Sequence, residues 1–224
     1  DLFVVTKDHP IHLSPTTNYL IVDDTLEALQ TVACMHRKQF NLPVIGITGS
    51  NGKTIVKEWL SQLLGEQYAL CISPKSYNSQ IGVPLSVWKM DDSNNLAIFE
   101  AGISTSGEMQ HLAPIIKPTI GVLTHMGLAH AEGFKGGMPE KITEKLHLFE
   151  SVDTLIYGKD QTSDIDIEAL LNNVKPGVKF FSWSTKAPAT IVVTSETVKG
   201  SHVQLSLLYD GKSVDVEIPF TDKA

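Results

Sequence analysis

Leu42-Pro43-Val44-Ile45-Gly46-Ile47-Thr48-Gly49-Ser50-Asn51-Gly52-Lys53-Thr54 is an apolar run that breaks into glycines and closes on a lysine–threonine pair. Residues 42–48, rich in Val and Ile, predict a buried strand. Residues 53–64 predict a helix with Ile55, Val56, Trp59, Leu60, Leu63 and Leu64 on one apolar face. A glycine-rich turn between strand and helix is where a phosphate loop belongs. Glycines let the backbone wrap an anion, N–H groups at the helix head point at it, the lysine adds charge and the threonine hydroxyl reaches Mg²⁺. The usual spacing asks for glycine at position 47, where Ile47 stands; here glycines fall at 46, 49 and 52.

Outward from this loop, apolar runs alternate with amphipathic stretches. Residues 68–72, 95–101, 119–124, 154–157 and 179–183 read as strands. Residues 26–39, 80–90, 107–117, 139–152 and 164–174 read as helices, the first capped by Asp24 or Thr25 with Leu26, Leu29, Val32 and Ala33 on one face. That alternation predicts an α/β fold, a mostly parallel sheet with helices on both faces. Beyond Ala187 the pattern turns to period two in 190–197, 202–209 and 213–218, with Asp210-Gly211 as a hairpin turn, so a small antiparallel β appendage is expected. Residues 1–24 hold two short apolar runs that read as the last strands of a preceding unit, and the chain reads as a piece of something longer.

Composition narrows the function. Hydrophobic residues at 42% and charged residues at 19% exclude a disordered chain. Lys and Arg number 18 against 25 Asp and Glu, a net charge of -7, which disfavours nucleic acid as the main partner but leaves room for a local phosphate pocket. Cys34 and Cys71 lack CxxC spacing, so neither a disulfide framework nor a cysteine zinc site is indicated, and a reducing cytoplasm is the expected setting. No apolar run approaches membrane-spanning length.

Further candidates lie at strand ends, where open α/β sheets bind ligands. Glu100 closes an apolar strand and is either a Mg²⁺ ligand or a carboxylate capping the next turn. Asn78-Ser79-Gln80-Ile81-Gly82-Val83-Pro84 reads as a polar loop leading into a helix. Thr124-His125-Met126-Gly127-Leu128-Ala129-His130 follows another strand; His125 and His130 are either ligands for metal or phosphate or ordinary loop histidines.

Taken in order, these blocks resemble the Mur ligases and folylpolyglutamate synthetases. The Gly46–Thr54 run carries the first block, and Asn78 with Ile81-Gly82-Val83-Pro84 the second. Glu100-Ala101-Gly102 with Gly107-Glu108 is similar to the third, Thr124 through Ala129-His130 and Glu132-Gly133-Phe134 to the fourth, and Glu144-Lys145 with Phe149 to the fifth. The second, third and fourth blocks look most like the branch that joins D-alanyl-D-alanine to UDP-N-acetylmuramoyl-tripeptide, and the stretch 73–80 resembles versions fused to an alanine racemase.

The resemblance implies a P-loop NTPase-like central domain over residues 25–224, the end of a UDP-sugar-binding domain over 1–24, and an amine-binding C-terminal domain not included in these residues. It implies an ATP-dependent ligase working through an acyl phosphate with two Mg²⁺ ions. Gly49, Ser50, Asn51, Gly52, Lys53 and Thr54 would bind nucleotide; Thr54 and Glu100 would hold one Mg²⁺, and His130 and Lys145 a second. Lys53, His130 and Lys145 would be catalytic, Lys145 as a carbamate, with Asn78 and Ser79 toward substrate. Ser79, Ser104, His125 and His147 depart from the family pattern at metal and substrate contacts. Another ligase of the same superfamily, or a nucleotide-binding regulatory module without turnover, are the competing expectations.

Overall fold

The computed structural model describes residues 2–8, 17–127, 134–161, 166–186 and 188–219. The strand read from 42–48 is β3 (Val44–Thr48), and every residue of it is buried. It lies in a nine-stranded sheet with β4 (Leu70–Ile72), β5 (Leu96–Glu100), β6 (Ile120–Leu123), β7 (Thr154–Gly158), β8 (Lys179–Ser184), β9 (Ile191–Lys199), β10 (His202–Tyr209) and β11 (Lys212–Ile218). The order is β11-β10-β9-β8-β7-β6-β3-β5-β4. Pairing is parallel from β4 to β9. It turns antiparallel at β9–β10–β11, with Asp210 and Gly211 both at positive φ in the connecting turn. The antiparallel strands are thus continuous with the main sheet, joined through Trp183↔Ile191 and Ser184↔Val192. A separate parallel pair, β1 (Leu2–Thr6) and β2 (Asn18–Val22), stands outside it.

Alternation along the strands sends two sets of side chains to opposite faces. Ile45, Ile47, Leu96 and Ile98 meet Val56, Leu60 and Leu64 of α2 (Lys53–Leu64). Val44, Ala97, Phe99 and Leu123 join the larger core on the other face, built with α1 (Thr25–Arg37), α3 (Gly82–Val87), α4 (Met109–Ile116), α5 (Gly137–Leu146) and α6 (Ile167–Val174). Gly46 permits a close approach here: a β-carbon on it would lie 2.8 Å from Pro118 Cβ.

α2 spans 53–64 as its periodicity predicted, and the other helices depart from their expected bounds for local reasons. Asp24 caps α1 by accepting from the N–H of Leu26 and Glu27. α4 stops at Lys117, which takes a left-handed φ of 44° before Pro118. α5 tightens into a 3-10 turn at His147–Phe149. Two predicted apolar faces are displaced. Val32 is exposed, and α1 buries Ala33 and Arg37; the Arg37 guanidinium bonds to the carbonyls of Phe40, Ile116 and Lys117, satisfying the end of α4. On α2, Ile55 and Leu63 are exposed, and the fully buried residue is Lys57.

Candidate active site

The chain reaches β6 from β5 by crossing over β3, so β3 sits between them and the carboxyl ends of all three gather at one edge. Such a crossover point is where open parallel sheets bind ligands. Ile47 is level with Glu100 on one side, and Thr48 with Leu123 on the other.

Two glycines shape the loop leaving β3. At Gly49, φ is 150° and a β-carbon would fall 2.0 Å from Thr124 Oγ1, so any side chain collides. Gly52, at the head of α2, has a left-handed φ of 84°. The loop is braced from the segment after β6: the N–H groups of Ser50 and Asn51 donate to His125 O at 2.8 and 3.3 Å. Ser50 Oγ donates to Gly127 O at 3.0 Å, and the Thr124 hydroxyl lies 2.7 Å from Asn51 O. This leaves the N–H groups of Gly52, Lys53 and Thr54 without a protein acceptor among the described residues, the donors a helix head offers an anion. Asn51 therefore contributes its position in the loop, its own N–H being turned toward His125.

Lys53 folds back over the loop, Nζ donating to Gly49 O at 3.0 Å. Burial lowers its pKa and the Glu100 carboxylate pulls it back up. Thr54 Oγ1 lies 2.9 and 3.2 Å from the two Glu100 oxygens. A hydroxyl and a carboxylate meeting beside the phosphate loop are hard oxygen donors, a donor set that fits Mg²⁺. Glu100 is fully buried, its N–H bonded to Ser73 Oγ, and the equally buried Lys57 ammonium stands 3.5 Å from Oε1.

A cleft of about 430 Å³ opens in front of the loop. Gly49, Ser50 and Lys53 form one wall, Asn78, Ser79 and Ser104 another, and Lys141 and Lys145 a third. Ser79 Oγ accepts from Gly82 N at 3.2 Å, and Asn78 O from Gly102 N at 2.8 Å, which ties this wall to the end of β5. Lys145 is 2% exposed, and its pKa falls to about 7, chiefly through burial and then through Lys53 and Lys141; Glu108 and Glu144 oppose the shift. Lys141 Nζ donates to Gly127 O at 2.6 Å, linking α5 to the segment that braces the loop. Glu108 accepts from the N–H groups of Ser104 and Thr105, and Glu144 from Met109 N.

The structure thus brings together Gly49, Ser50, Lys53, Asn78, Ser79 and Lys145 around one cleft, with Thr54 and Glu100 at its head. His130 lies outside the described residues, and among those described no cluster of three His, Cys, Asp or Glu side chains is placed to hold a metal. Of the departures, His125 works through its carbonyl, Ser104 is held by Glu108, and His147 pairs with Glu150. Sequence reasoning missed Lys57 and Lys141. The signal was spacing: each lies four residues from a named lysine, one helical turn along the same face.

A model of the Mur ligase middle domain matches residues 47–223. The UDP-N-acetylmuramoyl-tripeptide–D-alanyl-D-alanine ligase of Bacillus subtilis (strain 168) is 32% identical over 194 residues, 84% of this chain and 41% of that protein. The protein of the same name from Treponema pallidum (strain Nichols) is 34% identical over 202 residues, 89% of this chain and 42% of that protein. The chain thus spans less than half the length of these relatives. Among solved structures, MurF from Acinetobacter baumannii superposes with a TM-score of 0.82 at 24% identity, covering 97% of this chain and 46% of that one. MurF ligase from Thermotoga maritima in complex with ADP gives 0.79 at 20% identity, covering 95% and 48%. Both share the fold.

Proposed function

The chain belongs to the Mur ligase family, and on that premise we propose that it is the nucleotide-binding part of a ligase that joins D-alanyl-D-alanine to UDP-N-acetylmuramoyl-tripeptide in peptidoglycan precursor synthesis. The observation that carries this reading is the convergence of the glycine loop, Lys53 and Lys145 on one cleft. The branch is supported by the name its relatives carry. Residues 25–224 would form the central domain. Residues 1–24 would be the margin of the UDP-sugar-binding domain, a reading supported by the separate β1–β2 sheet with its exposed Leu2, Phe3, Leu20 and Ile21. Among the described residues no helix is long and apolar enough to cross a membrane; the cytoplasmic setting is part of the proposed reading.

In this mechanism the γ-phosphoryl group of ATP passes to the terminal carboxylate of the tripeptide. The amine of D-alanyl-D-alanine attacks the resulting acyl phosphate, expelling phosphate and leaving an amide and ADP. The protein's task is to neutralise phosphate charge and hold two anions in line. The N–H groups of Gly52, Lys53 and Thr54 would hold phosphate oxygens, and Lys53 would release its loop carbonyls to meet the β- and γ-phosphates. Thr54 and Glu100 would hold one Mg²⁺, which neutralises charge on the transferring group. Asn78 and Ser79 would face the acceptor. A Lys145 ammonium would repel a cation; the neutral amine adding CO₂ with loss of a proton becomes an anionic carbamate, suited with His130 to a second Mg²⁺.

The test is phosphate release by the intact protein containing this chain, with ATP, UDP-N-acetylmuramoyl-tripeptide and each candidate amine. Dependence on D-alanyl-D-alanine is expected. Dependence on glutamate or another amino acid would move the protein to a different branch, and ATP binding without acceptor-dependent turnover would make it a regulatory module.

A further inference from the structure

Lys57 has no place in the chemistry above, yet it is among the largest side chains with no exposure in the described core. A lysine buried to this degree needs partners for its charge and its three protons. It finds them in two separate places. One is the Glu100 carboxylate, 3.5 Å away, with the half-exposed Glu58 at 3.2 Å. The other is the segment after β4, where its ammonium donates to Ser73 O at 2.8 Å and to Lys75 O. Lys75 holds a left-handed φ of 49°, unusual for a residue with a side chain. Three residues on, Asn78 and Ser79 form a wall of the cleft.

We propose that Lys57 is a positioning residue that fixes the Glu100 carboxylate against Thr54 and, through the Ser73 and Lys75 carbonyls, locks the 73–79 wall to the metal side of the cleft. The inference rests on the nucleotide-site reading and deepens it. α2 presents three functional side chains along one face. Lys53 serves phosphate, Thr54 shares Glu100, and Lys57, one turn deeper, orients the carboxylate from behind. Without the ammonium, Glu100 loses its buried counter-charge, and the Ser73 and Lys75 carbonyls lose their shared donor.

The full chain and its Lys57→Met variant are titrated with a fluorescent ATP analogue, first in chelator and then across a Mg²⁺ series, with backbone hydrogen exchange followed over residues 73–79. In chelator the two should bind nucleotide alike, because Lys57 does not touch the phosphate loop. The Mg²⁺ concentration needed for half-maximal enhancement should rise by about 10- to 100-fold, the usual effect of losing a partner that orients a metal ligand. Exchange over 73–79 should quicken. A Mg²⁺ midpoint and exchange pattern both unchanged from the parent would overturn the role of Lys57 while leaving the nucleotide site intact. Failure of the parent chain to bind nucleotide at all would overturn the reading of the site and this proposal with it. If Lys57→Met does not fold, Glu100→Gln is compared with Lys57→Met/Glu100→Gln, in which no carboxylate is stranded. Faster exchange over 73–79 in the double variant alone supports the anchor, and equal exchange overturns it.

Discussion

Lys53 and Lys145 approach the same cleft from different elements, and burial lowers the pKa of both. Their consequences differ. Lys53 has the Glu100 carboxylate supporting its charge and lies at the helix head, so its role is that of a fixed cation. Lys53→Ala should abolish nucleotide binding while leaving the thermal midpoint within a few degrees, because a partly exposed loop-head residue contributes little to the core; calorimetric titration of the folded variant checks this, and undiminished affinity would remove the phosphate-loop assignment. Lys145 is pressed by two neighbouring ammonium groups, and a pKa of about 7 makes its neutral form abundant at neutral pH. The folded value lies below the ordinary 10.5. Between them the unfolded chain holds a proton that the folded chain has shed, so this residue makes stability rise with pH across that window. Lys145→Met should flatten that rise. The same neutral amine is the species that takes up CO₂. Labelled bicarbonate should therefore give a carbamate resonance that strengthens with pH and is absent from Lys145→Met. No such resonance in the Mg²⁺–nucleotide complex would eliminate the carbamate.

At the scale of elements, the site is two helix faces and a loop meeting three strand ends. α2 and α5 each bring two lysines one turn apart, Lys53 with Lys57 and Lys141 with Lys145. The loop between β3 and α2 admits no side chain at Gly49, where φ of 150° and the Thr124 hydroxyl leave none of the space a β-carbon needs. Gly49→Ala should therefore cost about 1–3 kcal/mol in backbone strain, a fall of several degrees in thermal midpoint, and should weaken nucleotide binding as the loop shifts away from Thr124. An unchanged midpoint would mean that the loop relaxes freely. Strand–loop–helix order was legible because a hydrophobic run, three glycines and a Lys-Thr pair all constrain the same short stretch. The inner residues of α2 were not. Period alone placed Ile55 and Leu63 inside, whereas the buried position is occupied by Lys57, whose partner Glu100 lies far away in sequence. A charged residue is buried only when a distant segment supplies its counter-charge, and periodicity carries no information about that segment. The union of β8 with β9 was hidden for a related reason: two residue pairs join them, too few to imprint a pattern.

The whole molecule is an asymmetric frame around a crossover. Six parallel pairings run from β4 to β9, and the glycine loop rises where β3 is flanked by β5 and β6. Among the described residues, the groups that the proposed reaction asks to manage phosphate (the glycine loop, Lys53, Thr54, Glu100 and Lys145) lie at that edge. The described cleft is lined by three lysines, Glu108, several polar side chains and the apolar Leu26, Ile81 and Ile103, and in the proposed reading the amine is presented by the remainder of the intact protein. Amide formation needs the amine held against the acyl phosphate, and well-oriented reactants are worth effective molarities of about 10⁵–10⁸ M. A polypeptide of residues 1–224 should accordingly bind ATP in a Lys53-dependent way yet form no amide bond above the rate of the uncatalysed reaction, however much D-alanyl-D-alanine is supplied. Chromatographic detection of the ligated product, run beside nucleotide titration on the same preparation, separates the two halves of this expectation. Ligation by the 224 residues at an enzymatic rate would mean that the amine is captured within the nucleotide-binding frame itself, and the wall formed by Asn78 and Ser79 would then have to be reassigned to it.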